Sequence, residues 1–326
     1  MIHFASNATG WYRPPATGLI PGGQTDRLIA PVHAHLTPGT YSIGRQPQQG
    51  AVNVYLSTRD RYTAASERRD RASVLYAHGI ASKGYRDWPR SKTFSVVTCP
   101  GPAHADEVMA SGAPPSRIAI IGYPKLDPLF RGEVDDTGIW ADDDRIRVLY
   151  APTHGGGSER YRHGNRAAPG ARATSWWNRH EVLSLLDPDT FQVVLAPHPR
   201  HSPGGQATLA QYVRAHVVVA DGGSTIYEAM ALGLPVVLTS WLTAHRNLER
   251  AGGTLLEATV YRDRLGRHAD RPEDLPDTIV HAAEDGPSSA DTAFIGRVLP
   301  PALRGHSGKT LADLLTDLDR STPCPS

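Results

Sequence analysis

The chain has 326 residues, 40% hydrophobic and 21% charged, an ordinary folded composition and a length beyond what one hydrophobic core usually serves, so two domains are expected. Lys and Arg number 34 against 33 Asp and Glu, a net charge of +1, which argues against a strongly basic nucleic-acid binder but leaves room for a local basic groove. The two cysteines, Cys99 and Cys324, offer neither a disulfide framework nor metal spacing, and no signal peptide or bilayer-long apolar run is visible, so a cytoplasmic protein, free or peripheral to a membrane, is expected.

Met1 to Ala5 can form a first strand. Residues 7–50 are rich in Gly, Pro, Thr and Gln and read as long loops with short pieces of structure. His33 and His35 would share one face of a strand, but no third ligand accompanies them; surface histidines are the better reading, and no metal is expected. Val52, Val54 and Leu56 mark a strand. The segment Arg59 to Arg71 mixes five arginines with Asp60, Glu67 and Asp70, the pattern of a solvated helix face; a surface for an anionic acceptor is the minority reading. Strands follow at Ser73 to Tyr76, Thr93 to Thr98 and Arg117 to Ile121, with a helix over His104 to Ala110. Alternating strands and helices with short links indicate a parallel sheet with helices on both faces.

The acidic stretch around Asp135, Asp136 and Asp142 to Asp144 reads as a link, after which the pattern restarts with a strand at Ile146 to Tyr150. A helix is expected from Trp176 through Leu186 and a strand at Phe191 to Leu195. His216 to Leu238 then reads as strand, glycine loop, helix and strand. The apolar run 216–220 is a buried strand, Asp221-Gly222-Gly223-Ser224-Thr225 the loop, and Val236 to Leu238 a second buried strand. Amides of Gly222 to Thr225 at a helix N-terminus would suit a phosphate. The alternative is a T-x-x-E capping box, Thr225 to Glu228, with the glycines shaping a tight turn. Helices are expected at His245 to Ala251, Leu275 to Ala283 and Thr310 to Leu318.

Four chemically loaded loops each follow a strand: His78-Gly79, Pro152-Thr153-His154, His198-Pro199-Arg200 and Asp221 to Thr225. Ligands of open α/β sheets bind outside the carboxyl ends of the strands. A single such His is more often a core or capping residue; several, spread over both halves, favour a ligand cleft.

These residues resemble the CDP-glycerol glycerophosphotransferases of teichoic acid synthesis, within the GT-B glycosyltransferase group. The resemblance rests on His78-Gly79 with Lys83 (H-G-x-x-x-K), Gly122, Pro124 and Asp127 with Lys125 in place of Arg (G-x-P-R-x-D), Leu149 to Thr153 (L-Y-A-P-T), His198-Pro199, the segment Asp221 to Glu228, and Ser307-Gly308-Lys309. Ala77 stands where the family often has Trp, and Ile80-Ala81 where it has Thr-Pro. Asp221-Gly-Gly-Ser is also close to the phosphate loops of UDP-sugar enzymes of the same fold.

The resemblance implies an α/β GT-B fold, two Rossmann-like domains whose parallel sheets face a central cleft. An acceptor domain would span residues 1–140 and a nucleotide-donor domain 141–326, with a final helix at about 307–320 packing back on the first. It implies a transferase moving a glycerophosphate or glycosyl group from a CDP- or UDP-linked donor to an acceptor hydroxyl, as of a polyol or a glycan. The donor would be a substrate, with no tightly bound cofactor. An attacking hydroxyl must lose a proton, which a His can accept at neutral pH; the resemblance gives that role to His78. His198, Ser224 and Thr225 would hold the donor phosphates, Glu228 would reach the ribose, and Gly79, Thr153, His154, Asp221, Gly222 and Gly223 would line the site. Lys83, Lys125 and Arg200 could meet donor or acceptor phosphate. A UDP-sugar glycosyltransferase acting on a modified base in phage DNA, a UDP-sugar epimerase and a catalytically silent nucleotide-sugar-binding protein are the competing readings.

Overall fold

The computed structural model describes residues 1–5, 24–44, 46–56, 70–77, 79–81, 91–136, 138–153, 175–197, 208–242 and 255–321. Contacts divide the chain into two compact units, one formed by Met1–Arg131 together with Arg297–Ser326, the other by Gly132–Gly296.

The first unit holds β1 (Ile2–Ala5), β2 (Tyr41–Gly44), β3 (Val52–Tyr55), β4 (Ala72–Leu75), β5 (Val96–Cys99) and β6 (Ile118–Ile120). They form one sheet in the order β2-β1-β3-β4-β5-β6, with every neighbouring pair parallel. Strands β1, β3 and β4 are buried along their whole length, the expected state of a parallel sheet covered on both faces. One face carries a polar row: Ser42, His3, Asn53 and Ser73 stand in register. Each finds a partner. His3 Nδ1 meets Ser42 Oγ at 2.8 Å, Asn53 Nδ2 donates to Asp70 at 2.7 Å, and the Ser73 and Ser95 amides donate to each other's hydroxyls at 3.1 Å.

Of residues 7–50, those described include two short pieces of structure, a helix and a strand. Helix α1 (Gln24–His33) forms despite Pro31 inside it, because Leu28, Ile29 and Val32 bury one side completely. Strand β2 adds the sheet edge. His33 ends α1 with its ring stacked on Tyr41 at 4.2 Å, while His35 is exposed.

Helix α2 (Pro102–Ala110) packs on β5 and β6. Gly101 precedes it because a Cβ there would run into the Arg297 and Val298 carbonyls. After the short helix α3 (Asp127–Phe130) the chain enters the second unit.

That unit's sheet comprises β7 (Ile146–Ala151), β8 (Phe191–Leu195), β9 (Val217–Ala220), β10 (Val236–Thr239) and β11 (Arg267–Ala269). Their order is β11-β10-β9-β7-β8, again all parallel. The helices are α4 (Arg179–Ser184), α5 (Thr208–Tyr212), α6 (Ser224–Ala231), α7 (Leu256–Arg262), α8 (Leu275–Asp285) and most of α9 (Ser289–Val298), whose last two residues count with the first unit. Helix α6 packs on β9 and β10, and α8 packs on β9, β10 and β11. One core joins Val148, Tyr150, Val217, Val219 and Val237 to Leu275 and Ile279 of α8.

The final helix, α10 (Ser307–Ser321), belongs to the first unit and packs on α1, β1 and β3. Its buried Gly308, Leu311, Ala312 and Leu315 fall at helical spacing on one side. Arg71 pairs with Asp319 on this helix. Among the described residues no helix is long and apolar enough to cross a membrane.

Candidate functional site

In the second unit β8 lies to one side of β7 and β9 to the other, so the strand order reverses between β7 and β9. Such a switch point opens a crevice at the carboxyl ends of the two strands, because the following connections leave in opposite directions. Ala151 is level with Ala220 across the pair. The residues that follow are therefore neighbours: Pro152-Thr153 on one strand, Asp221-Gly222 on the other.

Hydrogen bonds join them. The Thr153 amide donates to Asp221 Oδ1 at 2.7 Å and the Thr153 hydroxyl to the Gly222 carbonyl at 3.0 Å. Asp221 Oδ2 accepts the Ser175 amide at 2.6 Å, and the Asp221 carbonyl accepts the Tyr261 hydroxyl at 3.0 Å.

Gly223 follows with φ 85° and ψ −169° and caps α6 with no side-chain hydrogen bond. Few residues other than Gly adopt that conformation. It turns the chain sharply enough for α6 to begin at Ser224, directly beside the crevice. Ser224 and Thr225 are half-buried. Helix N-terminal amides are unsatisfied within the helix, and the dipole adds partial positive charge there.

The capping-box alternative is not formed. Thr225 lies inside the helix rather than at its cap, and Glu228 turns into the protein, 1% exposed, where its carboxylate accepts the Tyr212 hydroxyl at 2.9 Å. Burial and the Glu228 charge raise the Tyr212 phenol well above its ordinary pKa, so the proton stays on Tyr212.

In the first unit, Gly79 is half-buried. Ile80 beyond it is fixed by His104 of α2, whose Nε2 meets the Ile80 carbonyl at 2.7 Å. Only a protonated nitrogen can serve a carbonyl, so Nε2 carries the hydrogen. Burial lowers the His104 pKa to about 4, against the opposing pull of that carbonyl, and keeps the ring neutral at pH 7. A crevice at the carboxyl ends of β4, β5 and β6 is lined by Tyr76, Ala77, Thr98, Cys99, Gly122 and Tyr123. Burial pushes the Cys99 thiol up to about 12, which leaves it a protonated, unreactive wall.

Lys125 is half-buried in the turn Pro124–Leu126. The motif around it has a structural task. Asp127 is fully buried and accepts the Ser307 and Gly308 amides at 3.2 and 2.7 Å, while the Tyr123 amide donates to the Ser307 hydroxyl at 2.9 Å. Gly122 and Ser307-Gly308 are thereby matched to each other. A Cβ on Gly122, at φ 81°, would strike the Ser307 side chain, and one on Gly308 would strike the Pro31 carbonyl.

The structure thus brings Thr153, Asp221, Gly222, Gly223, Ser224 and Thr225 together, with Glu228 behind them; Gly79 and Lys125 lie in the other unit. His78, Lys83, His154, His198 and Arg200 lie outside the described residues. Among the described residues no group of His, Cys, Asp or Glu could hold a metal ion. Sequence reasoning missed Ser175, Tyr212, Tyr261 and His104, none of which sits in a recognisable motif.

No protein-family model matches the chain, and no curated protein sequence matches it. Solved structures do. A variant of the wall teichoic acid polymerase TagF superposes with TM-score 0.62 at 13% identity, over 98% of this chain and 89% of that one. A TagF variant soaked with CDPG gives 0.60 at 13%, over 98% and 88%. The UDP-GlcNAc 2-epimerase from Neisseria meningitidis, bound to UDP-GlcNAc, gives 0.49 at 11%, over 97% and 99%. At these identities the TagF likeness is one of fold. The chain has the GT-B fold, with one parallel sheet in each unit.

Proposed function

We propose that the protein is a GT-B transferase that takes a nucleotide-activated donor, CDP-glycerol-like or a UDP-sugar, and passes its glycerophosphate or glycosyl group to an acceptor hydroxyl. The observation that carries this reading is the uncapped start of α6 at the switch point beside Thr153, reached through Gly223. A diphosphate is the ligand such a place suits: it is anionic, and main-chain amides with a helix dipole offer it preorganised positive charge. The TagF fold likeness supports a donor of this class.

In this reading the Ser224 hydroxyl and the α6 amides hold the donor phosphates, with His198. His78 accepts the proton of the attacking hydroxyl, and Lys83, Lys125 and Arg200 serve phosphate groups of donor or acceptor. The leaving nucleotide keeps its charge on amides and basic side chains, so no resident cofactor is invoked. The acceptor is a polyol or a glycan.

Single-turnover transfer from CDP-glycerol, UDP-glucose and UDP-N-acetylglucosamine tests it, with His78→Ala beside the wild type. The expected result is turnover with one donor and a fall of roughly 10²–10⁴ in rate for the variant at unchanged donor affinity. A His78→Ala enzyme of nearly full rate removes that residue as the base. Tight donor binding without turnover over a panel of polyol and glycan acceptors would favour a nucleotide-sugar-binding protein instead.

A further inference from the structure

Asp221 stands immediately before the turn assigned to the donor phosphates, and a carboxylate is a poor neighbour for a phosphate. Two unit charges a few ångströms apart repel unless other groups screen them. The geometry shows what this carboxylate does. Asp221 is 8% exposed, and each of its oxygens accepts a main-chain amide, Thr153 at 2.7 Å and Ser175 at 2.6 Å. Thr153 and Ser175 flank residues 154–174, so one side chain holds the chain on both sides of that segment.

Three further bonds complete the frame. The Tyr261 hydroxyl of α7 donates to the Asp221 carbonyl, the Thr153 hydroxyl to the Gly222 carbonyl, and the Tyr150 hydroxyl to the Ser175 carbonyl, each at 3.0 Å. Main chain from after β7, before α4 and after β9 therefore converges on Asp221, with α7 bracing it. The two amide bonds also bind its negative charge inward.

We propose that Asp221 is a positioning residue. It does not touch the donor; it fixes the Gly222–Thr225 turn against Thr153 and Ser175 so that the α6 amides are held ready for phosphate. This role rests on the nucleotide-donor reading above. It has a distinctive consequence: a residue that shapes only the phosphate turn affects every diphosphate ligand alike, whatever is attached to it.

The test uses Asp221→Asn in the full chain. Asn keeps the shape but turns an NH2 group toward one of the two amides, donor against donor, so one bond is lost and the turn shifts. Affinities for CDP, UDP and inorganic pyrophosphate are measured by calorimetry or competition, with melting temperature on the same samples. The expected result is a common loss of about tenfold or more for the nucleoside diphosphate and for pyrophosphate, in protein that is folded at the assay temperature. Tyr261→Phe, which removes only the brace on the Asp221 carbonyl, should show the same common loss at smaller size.

A nucleoside diphosphate that loses affinity while pyrophosphate does not would mean that Asp221 contacts the nucleoside, and would overturn the proposal. So would wild-type affinities for both ligands in Asp221→Asn. Should that variant fail to fold, unchanged affinities in Tyr261→Phe would be decisive against the frame. A wild type that binds CDP or UDP beside an unaffected variant leaves the donor reading standing without this role. A wild type that binds none of the probes removes both.

Discussion

The Gly308 amide donates to Asp127 Oδ2 at 2.7 Å across a separation of 181 positions, and the Ser307 amide donates to Oδ1 of the same carboxylate. Asp127 therefore caps the N-terminus of α10 from a distant part of the chain, supplying acceptors that helix starts ordinarily obtain from their own cap residue. Burial raises the carboxyl's pKa, while the two amides and Arg131 oppose that rise. Asp127→Ala should leave two buried amides without their acceptor and destabilise the first unit by roughly 2–4 kcal/mol. A urea titration that places the variant's midpoint at the wild-type value would refute the capping role. Gly308→Ala should be at least as damaging, because its Cβ meets main chain rather than a movable side chain.

His104 gives the fold a dependence on acid. Folded, the ring stays neutral down to about pH 4; unfolded, it protonates near 6.5. Between those values the unfolded chain binds more protons, so stability falls as pH drops through that window. A shift of this size corresponds to on the order of 3 kcal/mol once pH is below both values. The difference in unfolding free energy between wild type and His104→Gln, followed from pH 7 to pH 4, should shrink as the solution is acidified. A difference that stays constant across that range would exclude His104 as the titrating group.

Gly223→Ala places a Cβ at φ 85° and ψ −169°, a conformation costing a residue other than Gly on the order of 1–3 kcal/mol. The strain falls on the turn that starts α6. Stability should drop by about that amount, and nucleoside diphosphate affinity should drop by more than tenfold. Full affinity in a strained but folded variant would place the phosphates elsewhere.

Tyr212→Phe removes the hydroxyl that Glu228 accepts at 2.9 Å inside the protein. A charge-assisted hydrogen bond is worth about 1.5–3 kcal/mol. The melting temperature should fall accordingly, and adding Glu228→Gln to the Tyr212→Phe variant should restore part of it, since a neutral amide costs less to bury than a carboxylate that has lost one of its donors. No recovery in the double variant would mean that the charge of Glu228 is balanced by other groups.

The unit from β9 to β10 was legible in the sequence almost residue for residue. Its β-branched runs are buried on both faces, and glycine punctuates both ends of the helix; both signals are local. The helix start was not. Thr225 and Glu228 have capping-box spacing, but Gly223 takes the cap position and Tyr212, contributed by α5, draws Glu228 inward. Helix α1 was hidden for a similar reason. Its polar first turn and Pro31 look like a loop; its three buried apolar residues find their packing on distant partners, among them Tyr76, whose hydroxyl meets the Leu28 carbonyl at 3.0 Å, the Pro124–Leu126 turn and α10. Asp127 and Asp221 show the same limit from the other side. Both were recognisable as residues that matter, yet what each one binds is distant main chain, and main chain leaves no mark in a pattern of side chains.

The first unit is built from two separated stretches, Met1–Arg131 and Arg297–Ser326. During synthesis, β1 and β3 emerge long before α10, which packs on them. At about 5–20 residues per second, the second unit that intervenes takes roughly ten to thirty seconds to make. Through that interval the nascent first unit lacks both the helix that covers those strands and the amides that Asp127 awaits. The second unit is the unbroken stretch Gly132–Gly296 and suffers no such delay, so a chain interrupted just before Arg297 carries that stretch whole beside an incomplete first unit.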